Sequence, residues 1–222
     1  MEVTHINIGC GRTPTPGWTN YDNSRSIWLA KHSILSKFLD MFGLLAVPQK
    51  EFIAFAKSAE IRRANATKRI PDADGSVSAL YSSHMLEHLD KIDRENFLRE
   101  ALRVLCHGGV IRLAVPNIRF HVNNYIDHND ADRFIDAIHL TRERPQTLMA
   151  KCRYLFVGER HHQWMYDGES LCSLLRSVGF EDPQVMEAGK TRIPDPGELD
   201  LQERFPESVF VEAVKPRSLA PS

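Results

Sequence analysis

The stretch "VTHINIGCGRTPTPGWTNYD" (residues 3–22) limits the fold more than any other part of the chain. Apolar residues alternate through 3–9 and end in glycine, the pattern of a buried strand entering a tight turn. "WTNYD" (18–22) reads as a second short strand ending in Asp22. Only ten residues separate Gly11 from Asp22, and they include Pro14 and Pro16. A parallel crossover through a helix needs about a dozen residues or more. The turn must therefore manage without the helix that normally follows it.

That absence bears on the ligand. Gly9 and Gly11 carry no Cβ and let a ligand approach the backbone. A carboxylate at the end of the next strand can accept hydrogen bonds from both hydroxyls of a ribose. A dinucleotide pyrophosphate draws on a helix N-terminus for its charge, and Pro14 stands where GxGxxG has its third glycine. Losing the helix harms a phosphate site more than a site for adenosine without phosphates. S-adenosylmethionine (SAM) is such a ligand.

The remaining chain alternates strands with helices, which predicts a mainly parallel α/β sheet covered on both faces. Residues 24–60 are helical in pattern, with Ile27, Leu35, Phe38, Leu39 and Phe42 at helical spacing and Pro48 dividing the segment. "DGSVSALYSSHML" (74–86) reads as a turn and a strand ending near Ser83. "DRENFLREALRVLCHGG" (93–109) reads as a helix with Phe97, Leu98, Ala101, Leu102 and Leu105 on its apolar face and Gly108-Gly109 as its stop. "VIRLAVPN" (110–117) is a strand closed by Pro116. Residues 118–160 are polar helices outside the sheet, and 167–180 is an amphipathic helix ended by Gly179. "PQVMEAG" and "SVFVEAVKP" close the sheet.

Composition excludes several function classes. The chain has 222 residues, 28 Lys+Arg and 29 Asp+Glu, so its net charge of -1 gives no general attraction to nucleic acid or anionic membrane. Cys10, Cys106, Cys152 and Cys172 form no CxxC pair, which argues against a zinc cage or disulfide framework and for a reducing, cytoplasmic setting. No stretch reaches the roughly 18 apolar residues of a membrane span. One domain over 1–216 is expected, with 24–60 and 118–160 as helical insertions and 217–222 as a frayed tail.

"SSHMLEHL" places His84, Glu87 and His88 just past the strand that ends near Ser83. If a helix starts here, the three share one face. Three uses compete: a general base for an oxygen nucleophile, His88 first and His84 second; ligands for a divalent metal; or a helix cap that shapes the pocket. "ERHHQWMYD" adds His161 and His162.

"INIGCG", "WTNYDNS", "PDADGSVSALYSSHMLEHL", "REALRVLCHGGVIRLAVPN" and "SLLRSVGF" resemble, in order and spacing, the motifs of class I SAM-dependent methyltransferases. The likeness is to a branch with a short first loop, often met in bacterial cell-surface carbohydrate pathways. It implies a Rossmann-like fold with a seven-stranded sheet. It also implies that Gly9, Cys10 and Gly11 line the methionine end of SAM and that Asp22, with Asn23 beside it, holds the ribose. Asn65 and Ala66 would meet the adenine, and Ser83 and His84 would border the cofactor. Asn65 and Asn7 each stand where the family often has an acid. His-x-x-Glu-His is similar to the Glu-x-x-Glu-His cluster of metal-dependent O-methyltransferases, which makes His84, Glu87, His88 and His162 the metal alternative.

The expected reaction is methyl transfer from SAM to an oxygen, with a sugar hydroxyl as the leading acceptor. The rivals are a SAM-binding regulatory or scaffold protein without turnover and a nicotinamide-dependent oxidoreductase. Trp28, Phe38, Phe42, Phe52 and Phe55 are expected in the core; a lid or a homodimer face is the alternative.

Overall fold

The computed structural model describes residues 4–45, 47–139 and 161–217. Its seven strands form one sheet in the order β3-β2-β1-β4-β5-β7-β6. The strands are β1 (His5–Ile8), β2 (Thr19–Asp22), β3 (Ile61–Arg63), β4 (Val77–Ser83), β5 (Leu105–Pro116), β6 (Glu181–Met186) and β7 (Ser208–Val214). β7 alone runs antiparallel to its neighbours. The chain order reverses between β1 and β4, so ligands are expected beyond the carboxyl ends of those two strands.

One face of the sheet is covered by helices α4 (Lys91–Val104) and α7 (Gly168–Val178). Phe97, Leu98, Ala101 and Val104 from α4 and Leu171 and Leu175 from α7 join Ile6, Ile8, Leu80 and Ile111 in the main core. Asp90 caps α4 by accepting from the Ile92 and Asp93 N–H groups, and Asp167 and Ser170 cap α7 reciprocally. Over β4, β5 and β7 the opposite face is covered, among the described residues, by connections rather than by a helix. Trp18, Ile193 and Leu199, from the β1–β2 and β6–β7 connections, pack on Ala79, Tyr81 and Phe210. Arg112 and Glu212, fully buried register partners on β5 and β7, pair at 2.8 Å and anchor the β6–β7 connection through Lys190 O and Leu201 O.

Two sequence expectations shift. The helix at 93–109 instead spans Lys91–Val104, and Leu105 opens a strand rather than extending the helix face. Leu105 pairs with Val77 and is fully buried, and the chain turns to strand there. Gly108 and Gly109 lie within β5, where a Cβ on Gly109 would come within 2.9 Å of Cys106 O and 3.1 Å of Val77 O. Gly109 thus serves a close backbone approach and Gly108 a left-handed φ of 79°, neither of them a helix stop.

Residues 24–60 do form helices: α1 (Arg25–Lys31), α2 (Ser33–Met41) and α3 (Val47–Ser58), with Pro48 in the first turn of α3. Their apolar stripe is only partly core. Ile27 and Phe52 are buried, whereas Trp28, Phe38 and Phe42 are exposed. Within 118–160, α5 (Ile118–His128) and α6 (Ala131–Ala137) are helical as expected. Residues 140–160, with Cys152, lie outside the described residues, as do 218–222 of the expected tail.

The loop from Asn65 to β4 is pinned to α4. Glu100 accepts the Ile70 N–H at 2.9 Å and the Arg103 guanidinium at 2.8 and 2.9 Å. These bonds, Arg103's first, hold the Glu100 carboxyl below its ordinary value of 4.5. A carboxyl lowered in the folded state stabilises above its unfolded value, and that contribution disappears as pH falls through the lowered one. Glu100→Gln is expected to cost about 1–3 kcal/mol at pH 7. Urea unfolding should show its deficit shrinking steadily below pH 4.5.

Candidate active site

The glycine turn is built from backbone and amide bonds. Leaving β1, the Gly9 and Cys10 N–H groups both donate to Tyr21 O, at 2.8 and 3.2 Å. Gly9 and Gly11 have φ of 74° and 51°, the left-handed region that favours glycine. The Gly11 N–H donates to Asp22 Oδ2 at 2.9 Å, and the Ser24 N–H to Oδ1 at 2.6 Å. No helix lies between β1 and β2. Two buried asparagines do its work. Asn7 Nδ2 donates to Thr13 O and Thr15 Oγ1, while Asn20 accepts from Thr15 N and donates to Thr15 O and Trp18 O.

This cradle fits an adenosine ligand without phosphates. An ionised carboxylate has about four acceptor positions, and Asp22 uses one on each oxygen, so ribose hydroxyls can take the others. Space is open above Gly11, where an added Cβ would meet nothing nearer than Gly9 O at 4.0 Å. Above Gly9 lies Met85, whose side chain would sit 3.0 Å from such a Cβ. Any ligand on the turn packs against Met85 or displaces it, and an unbranched thioether is suited to both.

The other expected cofactor residues take varied positions. Cys10 is buried with Ile27, Phe52 and Ile61, and burial, with Asp22 nearby, pushes its thiol up to about 12. It is a packing thiol, not a nucleophile. Asn23 is exposed beside Asp22, and Ser83 is the last residue of β4. Asn65 Oδ1 accepts from Thr67 N and Thr67 Oγ1, closing its own turn, and Ala66 joins the main core. The Ala64 N–H donates to Asp22 O, which sets this turn beside the β2 end.

The histidine cluster forms without the expected α-helix. His84 leaves β4 with φ 46°, and only a short 3-10 turn follows at Leu86–His88. His84 N donates to Ala114 O, so β5 holds the chain straight where a helix would have begun. Glu87 is completely buried, and neither carboxylate oxygen has a hydrogen-bond partner among the described residues. Three imidazole nitrogens lie around its Oε1: His84 Nδ1 at 3.3 Å, His88 Nε2 at 3.9 Å and His162 Nε2 at 4.0 Å.

Backbone carbonyls set the rings. His88 Nδ1 donates to His161 O at 3.0 Å and His162 Nδ1 to Ile138 O at 2.9 Å. A carbonyl only accepts, so each Nδ1 carries a proton and each ring turns its Nε2 toward Glu87. Burial lowers the His162 pKa, against the attraction of Glu87. His84 Nε2 is paired with Ser208 Oγ at 2.9 Å. The distal segment is fastened directly to the cluster: Gln163 N and Trp164 N both donate to Glu87 O, and Gln163 Nε2 donates to His88 O. His161 contributes its carbonyl rather than its ring.

Residues 37–113 match the family model of a methyltransferase domain. A SAM-dependent methyltransferase of Methanosarcina mazei is similar in fold, with a TM-score of 0.52 and 17% identity over 98% of this chain and 95% of that one. Another, from Thermotoga maritima, gives a TM-score of 0.50 and 15% identity over 97% and 83%. The fold is that of class I SAM-dependent methyltransferases. No match is found among curated proteins. The methyltransferase fold implies SAM as its cofactor, and the helix-free turn at Asp22 agrees with it.

The structure brings Gly9, Gly11 and Asp22 into one turn and gathers His84, Glu87 and His88, while Asn20, Met85 and Ser208 beside them are not singled out by the sequence reading. Asn20 has a retrievable signal, a polar residue at an inward position of a short strand. Asp22→Asn removes one of the two acceptors and turns an amide NH2 toward a backbone donor. Its expected cost is about 1–3 kcal/mol, read from the urea midpoint with an unchanged denaturant slope.

Proposed function

We propose that this domain transfers a methyl group from SAM to a hydroxyl oxygen of a sugar or similar small polyol, in the manner of the short-loop carbohydrate branch. The observation that carries this reading is the juxtaposition at the switch point of the sheet. An Asp22-locked turn suited to adenosine ends β1 and β2, and a group of basic nitrogens ends the adjacent β4. Met85, over Gly9, directly joins the two. Bound SAM would supply an activated methyl on a sulfonium sulfur; the acceptor oxygen would take that carbon, the carbon–sulfur electron pair would stay on sulfur, and the hydroxyl proton would pass to water at the Glu87–histidine group.

The chain's own residues then have two tasks. Asp22, Gly9 and Gly11 hold the nucleoside, so that alignment does much of the catalysis. The Glu87–histidine group receives the acceptor hydroxyl. His88 is the member facing outward, its side chain 27% exposed against 10% for His162 and 8% for His84. His84, paired with Ser208 at one nitrogen and next to Glu87 at the other, positions Glu87 and does not meet the acceptor.

Calorimetry with SAM and S-adenosylhomocysteine, followed by labelled methyl transfer to a panel of sugars, tests the reading. Both nucleosides should bind, and Asp22→Asn should weaken them about tenfold or more, the equivalent of one lost hydrogen bond. His88→Ala should lower turnover on the order of 10²-fold or more while leaving SAM affinity unchanged. NADH binding in place of SAM would refute the assignment. Tight SAM binding with no transfer to any acceptor would favour the regulatory or scaffold rival.

A further inference from the structure

The least explained group in the protein is Glu87. It is fully buried, and neither oxygen makes a hydrogen bond among the described residues. An isolated ionised carboxylate away from water is strongly unfavourable unless a cation or donors compensate it. No Lys or Arg among the described residues lies within ion-pair distance of it; its close neighbours are imidazoles. Nothing in a packing role alone requires a carboxylate at this position.

The surrounding geometry resembles a set of ligands. Glu87, His88 and His162 each direct one donor atom inward, and these atoms all lie within 4.8 Å of one another. Donors about 2.1 Å from a shared four-coordinate ion stand roughly 3.4 Å apart. The observed 3.9 and 4.0 Å from Glu87 Oε1 to the two Nε2 atoms need only a small contraction. The second layer is also in place. Both imidazoles donate Nδ1–H to backbone carbonyls, the arrangement that fixes tautomer and aim in metal-binding histidines. Ser208 holds the far side of His84, whose Nδ1 lies 3.3 Å from Glu87. The segment bearing His162 is tied to the backbone of Glu87 itself.

We infer that Glu87, His88 and His162 form a binding site for one divalent cation of the imidazole-preferring kind, such as Zn(II) or Co(II). Two nitrogens and one carboxylate oxygen suit such ions better than Mg(II) or Ca(II), which favour all-oxygen shells. Three protein ligands leave a position open on the exposed His88 side. A hydroxyl bound there would lose its proton to water more readily. That use of the ion rests on the methyl-transfer reading above; the site itself does not.

The full chain, stripped with chelator and then freed of it, should bind Zn(II) or Co(II) at one equivalent by calorimetry. Co(II) should develop visible ligand-field bands, and Zn(II) should raise the melting temperature. Glu87→Gln and His162→Ala should each weaken binding on the order of 100-fold. Should either variant fail to fold by circular dichroism, His88→Ala, at the partly exposed rim, gives the same readout. Asp22→Asn should bind metal like wild type while losing SAM affinity, so failure of the cofactor reading is distinguishable from failure of this one. Absence of stoichiometric binding, unchanged affinity in the folded variants, or Mg(II) binding as tightly as Zn(II) would overturn the site.

Discussion

The structure depends on how one short connection satisfies its own backbone. β1 and β2 lie side by side and parallel, so the chain must return the length of a strand between them. A helix would satisfy its own N–H and C=O groups on the way. Residues 9–18 cannot, and buried backbone groups left unpaired cost on the order of 1–3 kcal/mol each. Asn7 and Asn20 resolve this with amide side chains that are almost fully buried. They bond Thr13, Thr15 and Trp18 from beneath the loop. Asp22 fixes the loop's start through Gly11. The acid that the resemblance implies in the first strand is thus replaced by a residue that can donate, because this loop offers carbonyls.

The same connection determines what covers the sheet. Without a helix after β1, the outer face near β4 and β5 would be bare. Trp18 from the short loop and Ile193 and Leu199 from the β6–β7 connection fill it. That long connection is held by the buried Arg112–Glu212 pair, with Thr191 and the Arg192 N–H also on Glu212. An ion pair so buried requires every partner to be in place. Here charges face each other across paired strands, with both Glu212 oxygens and both terminal Arg112 nitrogens partnered and Arg112 Nε without a partner among the described residues.

Much of this was legible in the sequence, and the exceptions have definite causes. The strands (β3 apart), α4, α7 and the missing first helix follow from period, capping residues and chain length; β3 (Ile61–Arg63) lies in a short basic run that carries no strand signal. The end of α4 was misjudged because Leu105 is apolar in either setting, and only pairing with Val77 decides it. The aromatic residues of α1–α3 are expected in the core, with a lid or dimer face as the alternative, and Trp28, Phe38 and Phe42 are exposed. Periodicity reports that a face is apolar, not what covers it; Ile27 and Phe52 meet Cys10 only because β3 lies beneath them. At the candidate site, the residue types were visible but their assembly was not. His162 reaches Glu87 through backbone bonds between segments some 75 residues apart in sequence, which no local pattern encodes.

Charge sets the final constraint on the crevice. Asp22 stands nearly buried at the end of β2, beside the glycine turn. In a low-dielectric setting the field of an ionised carboxylate is weakly screened. A pyrophosphate on this turn would approach that charge without the helix N-terminus that usually offsets its own. A sulfonium, carrying positive charge and no phosphate, would meet attraction at the same position. The missing helix and Asp22 therefore disfavour an anion by independent means: one removes a favourable term, and the other adds an unfavourable one.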